Sequence, residues 1–311
     1  MVSIVKCAQF LQPALESFTR ETDNRNQEGR REAHGMAGRY TLAAMDMDGT
    51  LLNTDHRFTP YTLAALDRAA QAGKALAFCT GRCLSELWEH FRAVPAIGYA
   101  IGENGGFLYD VKAGKTLYQL SIRRRAAMDM LDLAMEYDVI PQCFMSGQSY
   151  MQLRRMEELA PHHVADYESV FRAGTIFVDD VVSMARERDD VEKINVYFAS
   201  PEDKADFWRR SRGLDLFIAD SLGYGYEASP KEATKSAGLA RLCEYLGIPL
   251  EESLAIGDGG NDVDLMRAAG LSVAMGNATE AVKAAADVVT EDCDHDGAAK
   301  AVLRYMLGDN V

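Results

Sequence analysis

Between residues 40 and 106, three short apolar runs alternate with helix-patterned segments, and each run ends in a cluster of glycine and polar residues. Residues 40–45 (YTLAAM) lead into Asp46, Asp48 and Gly49, residues 74–79 into Thr80-Gly81-Arg82, and residues 96–101 into GENGG at 102–106. Residues 60–72 read as a helix, with Leu63, Leu66 and Ala70 on one face, Pro60 in the first turn and Gly73 at the end. Residues 84–91 read as another. Strand, helix, strand, helix, strand implies an α/β chain whose parallel sheet has right-handed crossovers and helices on both faces. The last third repeats the theme. Helices are expected at 232–246, 263–269, 279–285 and 298–307, and strands at 253–256, 271–275 and 287–290.

The middle of the chain has a different texture. Residues 126–137 look helical, 142–152 look like strand pieces around a glycine turn, and 193–198 (KINVYF) alternate as a half-buried strand does. Residues 207–212 look like part of a helix and 215–219 like a strand. Short mixed elements point to a separate α+β domain inserted into the first. The expected division is a disordered amino-terminal tail at 1–39, a core at 40–119 and 221–311, and the insertion at 120–220. The tail is polar, with mixed charge and no sustained apolar period, and Met36 offers an alternative start.

Composition narrows the partners. The 33 Lys and Arg against 47 Asp and Glu leave a net charge of −14, which disfavours general binding to nucleic acid or to an anionic membrane. A small phosphorylated ligand is still compatible if local groups override the field. No apolar run approaches the roughly 20 residues of a membrane helix, and the amino terminus lacks the pattern of a secretory signal. The six cysteines are scattered and do not suggest a disulfide framework. Cys79 and Cys83 read as small buried thiols. The cytoplasm is the expected compartment.

In an open parallel sheet, ligands bind beyond the carboxyl ends of the strands, so the clusters there should converge. In Asp46-Met47-Asp48-Gly49-Thr50, residues two apart on an extended chain project to the same side, so both carboxylates can face one pocket. Two such acids repel unless a cation or a proton lies between them, and an all-oxygen set suits Mg²⁺. Thr80 and Gly81 offer a hydroxyl and a backbone N–H to a phosphate oxygen. Gly257-Asp258-Gly259-Gly260-Asn261-Asp262 lets backbone approach a ligand and supplies a second set of oxygens. Lys235 opens a predicted helix, and Lys231 competes for the same role.

The joint order of DxDGT, TGR, lysine helix and GDGGND resembles the haloacid dehalogenase superfamily of phosphotransferases. Within it the nearest likeness is to the Cof-type phosphatases, which carry a large α+β cap of the second (C2) kind. The likeness runs from about residue 40 to the end. GENGG resembles that family's Asn-Gly-Ala turn, with Gly106 where alanine is usual. PKEATKSAGLARL at 230–242 resembles its lysine motif, whose second lysine is the functional one, which favours Lys235. Residues 274–302 resemble its carboxy-terminal signature almost throughout.

The resemblance implies a Rossmann-like parallel-sheet core with an inserted α+β cap, and a Mg²⁺-dependent phosphatase of small phosphorylated metabolites, sugar phosphates foremost. It implies Asp46 as nucleophile, forming an aspartyl-phosphate, and Asp48 as general acid and then base, its backbone carbonyl also binding metal. Asp258 and Asp262 would complete the protein's share of the Mg²⁺ shell. Thr80, Gly81, Lys235 and Asn261 would hold the phosphoryl oxygens. A sugar phosphomutase is the alternative, and a non-catalytic phospho-ligand-binding protein a more distant one. A monomer or weak homodimer is expected.

Three other features carry less. Residues 292–297 (DCDHDG) match the opening of a calcium-binding EF-hand loop, but its twelfth position would be Leu303 rather than glutamate. His162-His163 are expected at the surface or in the cap, with no carboxylate–histidine spacing to support a metal site. Tyr150, Arg154, Arg155 and His162 are cap residues with chemistry suited to choosing a leaving group, and no spacing selects among them.

Overall fold

The computed structural model describes residues 38–221 and 223–309, so the expected tail lies outside the described residues apart from Gly38 and Arg39. Fourteen strands follow along the described chain: β1 Leu42–Met45, β2 Ala75–Cys79, β3 Tyr99–Gly102, β4 Phe107–Asp110, β5 Lys115–Gln119, β6 Val139–Met145, β7 Gln148–Gln152, β8 Thr175–Val178, β9 Val191–Phe198, β10 Phe217–Ser221, β11 Gly225–Ser229, β12 Ser253–Gly257, β13 Leu271–Ala274 and β14 Val288–Val289. The α-helices are α1 Pro60–Gln71, α2 Trp88–Ala93, α3 Arg124–Ala134, α4 Glu168–Gly174, α5 Val181–Arg186, α6 Pro201–Ser211, α7 Lys235–Leu246, α8 Val263–Ala268, α9 Glu280–Ala285 and α10 Gly297–Val302. No described helix is long and apolar enough to cross a membrane. The chain divides into two compact units, one formed by residues up to Lys74 with those from Ile248 on, the other by Ala75–Gly247.

In the first unit, β1, β12, β13 and β14 pair in parallel in that order. β1 and β13 are buried along their whole length, as strands covered on both faces must be. α1 begins where its sequence says it should: the Thr59 hydroxyl accepts from the Thr62 N–H at 3.0 Å and Pro60 fills the first turn. Its buried face is Thr62, Ala65, Leu66 and Ala69, a rotation from the expected Leu63–Leu66–Ala70 stripe. Ala65 of that face packs with Ala299 of α10 and with Leu303. The acidic loop 292–297 serves this region locally. Asp296 accepts from the Thr59 and Thr62 hydroxyls, Asp294 accepts from the Thr54 N–H and hydroxyl at 3.0 and 2.9 Å, and Asp292 caps its own turn.

In the second unit, β2 and β3 are parallel, but β3, β4 and β5 run antiparallel, so this part of the sheet is mixed rather than purely parallel. A second sheet has the order β10-β11-β9-β6-β7-β8, antiparallel except for β7 against β8. The β6–β7 hairpin turns on Ser146 and Gly147, both with positive φ, as a tight two-residue turn requires. Ile194, Val196 and Phe198 of β9 join a core that includes Ala127, Leu131 and Phe207.

The expectation of a half-buried β9 does not hold, since all eight residues are buried. The alternation is real, but the polar face meets other protein instead of water. Gln142 accepts from Tyr197 Oη at 2.9 Å and from Asn195 Nδ2 at 3.3 Å, and donates to Ser149 Oγ at 2.7 Å. Buried polar groups are tolerated when paired in this way.

Candidate active site

In the first unit, Met45 of β1 lies opposite Ile256 of β12, and the Asp46 N–H continues the ladder to the Ile256 carbonyl at 2.9 Å. Asp46 and Asp258 therefore leave the carboxyl ends of neighbouring parallel strands side by side. Carboxylate oxygens of Asp46, Asp258 and Asp262 all lie within 4.8 Å of one another. Asp46 is 8% exposed and Asp262 is fully buried. Three acids held this close repel strongly unless a cation or protons intervene. Their donor set is all oxygen, so the residues present fit a hard divalent cation such as Mg²⁺.

The surrounding groups aim the acids. The Asp262 carboxylate accepts from the backbone N–H groups of Asp258 and Gly259, both at 3.0 Å, and so pins the glycine loop. Thr50 Oγ1 donates to Asp258 at 3.0 Å. Gly49 has φ +79°, and a Cβ there would stand 2.6 Å from Asp258 Oδ2, so only glycine lets the two strand ends close. Asn277 Nδ2 donates to the Gly49 carbonyl at 2.8 Å, and its Oδ1 accepts from the Cys293 N–H at 3.0 Å. Asn261 is exposed, beside Gly259.

Asp48 is not one of the three acids in that group. Beyond Asp46, the Thr50 and Leu52 N–H groups both donate to the Met47 carbonyl, and Asp48 forms a parallel β-bridge with Leu52. The Asp48 side chain is 46% exposed, with His56 Nδ1 3.9 Å from its carboxylate.

In the second unit, Thr80 closes β2 and is buried, and its hydroxyl accepts from the Arg82 N–H at 3.2 Å. Lys235 is the first residue of α7, capped by Thr234, and is 1% exposed. Lys231 instead extends to Asp215 at 3.1 Å with its side chain 55% exposed. Three consecutive residues, Glu103, Asn104 and Gly105, have positive φ. Such a run of left-handed conformers is costly and tends to mark a functional loop. This loop wedges between the two phosphate-site candidates: a Cβ on Gly81 would meet Asn104, and one on Gly105 would strike the Thr234 carbonyl at 1.9 Å.

Behind the Thr80–Gly81 turn lies a buried set of charges. Lys193, 3% exposed, donates to the Gly81 carbonyl at 2.8 Å and pairs with Glu227 at 3.3 Å. Glu227 accepts from Asn104 Nδ2 at 2.8 Å. Burial lowers the Lys193 pKa, but Glu227, Glu103 and Glu86 outweigh it and hold the ammonium charged. Glu103 is pushed well above the usual carboxylate range, first by burial and then by the charge of Glu192. Glu192, buried and receiving the Gly147 N–H, is raised by burial from 4.5 to about 7.

This fixes a pH dependence. Below pH 4.5 the Glu192 carboxyl is protonated folded or unfolded; between 4.5 and about 7 only the folded protein keeps that proton. Stability therefore falls as pH rises through the window, by at most about 3.5 kcal/mol at roughly 1.4 kcal/mol per pH unit. Urea unfolding at pH 5 and pH 8 should show that extra loss in the wild type and a flatter response in Glu192→Gln. Equal pH responses would contradict this assignment.

Residues 43–302 match the family model of haloacid dehalogenase-like hydrolases. The chain belongs to that family, and within it to the Cof-type phosphatases. It is 28% identical over 287 residues to the phosphatase YwpJ of Bacillus subtilis, covering 86% of this chain and 99% of that one. A haloacid dehalogenase-like hydrolase from B. subtilis superposes with a TM-score of 0.73 at 27% identity, over 84% of this chain and 98% of that chain. The subclass IIB sugar phosphatase BT4131 superposes at 0.71 with 25% identity, over 86% and 99%.

Sequence reasoning passed over Thr50, Asn277, Lys193 and Glu227. Thr50 stands inside DxDGT, and Asn277 inside the stretch 274–302 that resembles the family's carboxy-terminal signature. Lys193 and Glu227 carry no motif; the only available signal was charge on strands otherwise apolar.

Proposed function

We propose that the chain is a Mg²⁺-dependent phosphomonoesterase that works through an aspartyl-phosphate on Asp46. The convergence of Asp46, Asp258 and Asp262 at the ends of β1 and β12 carries this reading. A carboxylate oxygen of Asp46 attacks phosphorus, the bond to the leaving oxygen breaks, and that oxygen takes a proton from Asp48. Asp48, now a carboxylate, removes a proton from water as the water attacks phosphorus, which releases phosphate and restores Asp46. Half-exposure suits Asp48 to exchanging protons with solvent. Asp46, Asp258, Asp262 and the Asp48 carbonyl would hold a Mg²⁺, whose charge would offset the repulsion between nucleophile and phosphate. Thr80, Gly81, Lys235 and Asn261 hold the phosphoryl oxygens, and exclusion of water around the buried Lys235 strengthens the attraction of its ammonium for them.

Residues 120–220 form the cap that chooses the leaving group. A hydrophobic core running from Ile122 through Phe207 and Leu216 supports a cap here, and it extends past residue 220 to Tyr226 and Ala228 of β11. Similarity to a sugar phosphatase supports sugar phosphates as the substrate class. Phosphate release from a panel of sugar phosphates and an aryl phosphate should require Mg²⁺ and stop with chelator. Release undiminished by chelator would contradict the metal assignment, and isomerised sugar phosphate without free phosphate would point to a mutase.

A further inference from the structure

We infer that Asp138, Glu158 and His162 form a second divalent-metal site, distinct from the acids at β1 and β12 and suited to Zn²⁺ or a similar transition cation. One ligand atom from each of the three lies within 4.8 Å of the others. Asp138 directly precedes β6, Glu158 ends the 3₁₀ segment Leu153–Glu158, and His162 follows one turn later. Of the two histidines expected at the surface or in the cap, His162 is buried, 1% exposed, whereas its neighbour His163 is exposed. The carboxylate–histidine spacing was present after all, as Glu158 four residues before His162.

The decisive atom is His162 Nε2. Nδ1 lies 2.8 Å from the Glu158 carbonyl, which can only accept, so Nδ1 carries a hydrogen. Nε2 is buried and has no hydrogen-bond partner among the described residues. It faces Asp138 Oδ1 at 3.4 Å, too long for a charge-assisted hydrogen bond, which would run at roughly 2.7–2.9 Å. In the neutral ring, Nε2 then carries a lone pair beside a carboxylate oxygen that, when ionised, cannot donate to it. A backbone carbonyl that orients the far nitrogen is the usual support of a metal-ligating histidine. Bonds of about 2.0–2.1 Å in a tetrahedral shell place neighbouring ligand atoms about 3.3–3.4 Å apart, which matches the observed separation.

Arg155 completes the picture. Its guanidinium bridges Asp138, at 3.2 Å, and Glu158. It is the cation that neutralises both acids when no metal is bound, so metal binding is an exchange in which the guanidinium swings out. Arg155 is therefore a competitor, and removing it should tighten binding.

The test is titration of the full chain with Zn²⁺ under excess Mg²⁺, read by calorimetry, with Co²⁺ in parallel for its tetrahedral visible bands. We expect one equivalent of Zn²⁺ in the wild type, at least tenfold weaker binding in Asp138→Asn and His162→Ala, and tighter binding in Arg155→Met. Asp138 is 62% exposed at its side chain, so Asp138→Asn should fold even where His162→Ala does not, and circular dichroism checks both. Zinc binding unchanged in Asp138→Asn, or no saturable binding to wild type and Arg155→Met alike, would overturn the assignment.

Discussion

Asp46→Asn is expected to lower kcat for phosphate release by about 10⁴–10⁶-fold, the loss that follows removal of a nucleophile. That is about 5–8 kcal/mol of transition-state stabilisation at 1.36 kcal/mol per decade. The side chains are the same size, and the amide removes one charge from three crowded carboxylates. The metal-free variant should therefore melt no lower than the wild type, because the repulsion it relieves opposes folding. Loss of activity with intact or raised thermal stability separates a chemical role from a structural one. Turnover within tenfold of wild type would remove Asp46 from the role.

Asp48→Asn should divide the two half-reactions. An aryl phosphate expels a stable phenolate and needs no proton from Asp48, whereas a sugar alkoxide does. Phosphorylation of Asp46 by the aryl ester should stay fast, and dephosphorylation should slow by about 10²–10⁴-fold without the base. Stopped-flow mixing should then show a burst of about one equivalent of phenol followed by near-arrest. The same variant with a sugar phosphate should show no burst. Equal slowing of the first turnover on both substrates would contradict the assignment of Asp48 as acid and base.

The α/β core was legible because its strands announce themselves twice, by an apolar run and by the glycine or acid that ends it. β1, β2, β12 and β13 fall within two residues of their expected bounds. The β4–β5 hairpin was missed because Phe107–Asp110 and Lys115–Gln119 follow a loop of left-handed residues that ends no helix and starts no obvious turn. The exposure of β9 was misjudged because alternation reports which residues are polar and leaves open what they face; Lys193, Asn195 and Tyr197 face other protein groups. Asp46, Asp258 and Asp262 were legible as oxygen donors at strand ends. The turn in which the Thr50 and Leu52 N–H groups close on the Met47 carbonyl depends on backbone hydrogen bonds that no residue spacing encodes. The link from Gly81 through Lys193 and Glu227 to Asn104 spans segments more than 100 residues apart, and only the folded chain joins them.

The most direct test of the account asks where the phosphoryl group goes. Enzyme quenched with acid during turnover of a sugar phosphate with Mg²⁺, then reduced with borohydride, converts an acyl phosphate to the corresponding alcohol. Peptide mass spectrometry should find Asp46 converted to homoserine, and in Asp48→Asn the amount should rise when the substrate is the aryl phosphate, whose phosphoenzyme forms without the acid and persists without the base. Conversion at a different aspartate, or none while phosphate release continues, would contradict the account.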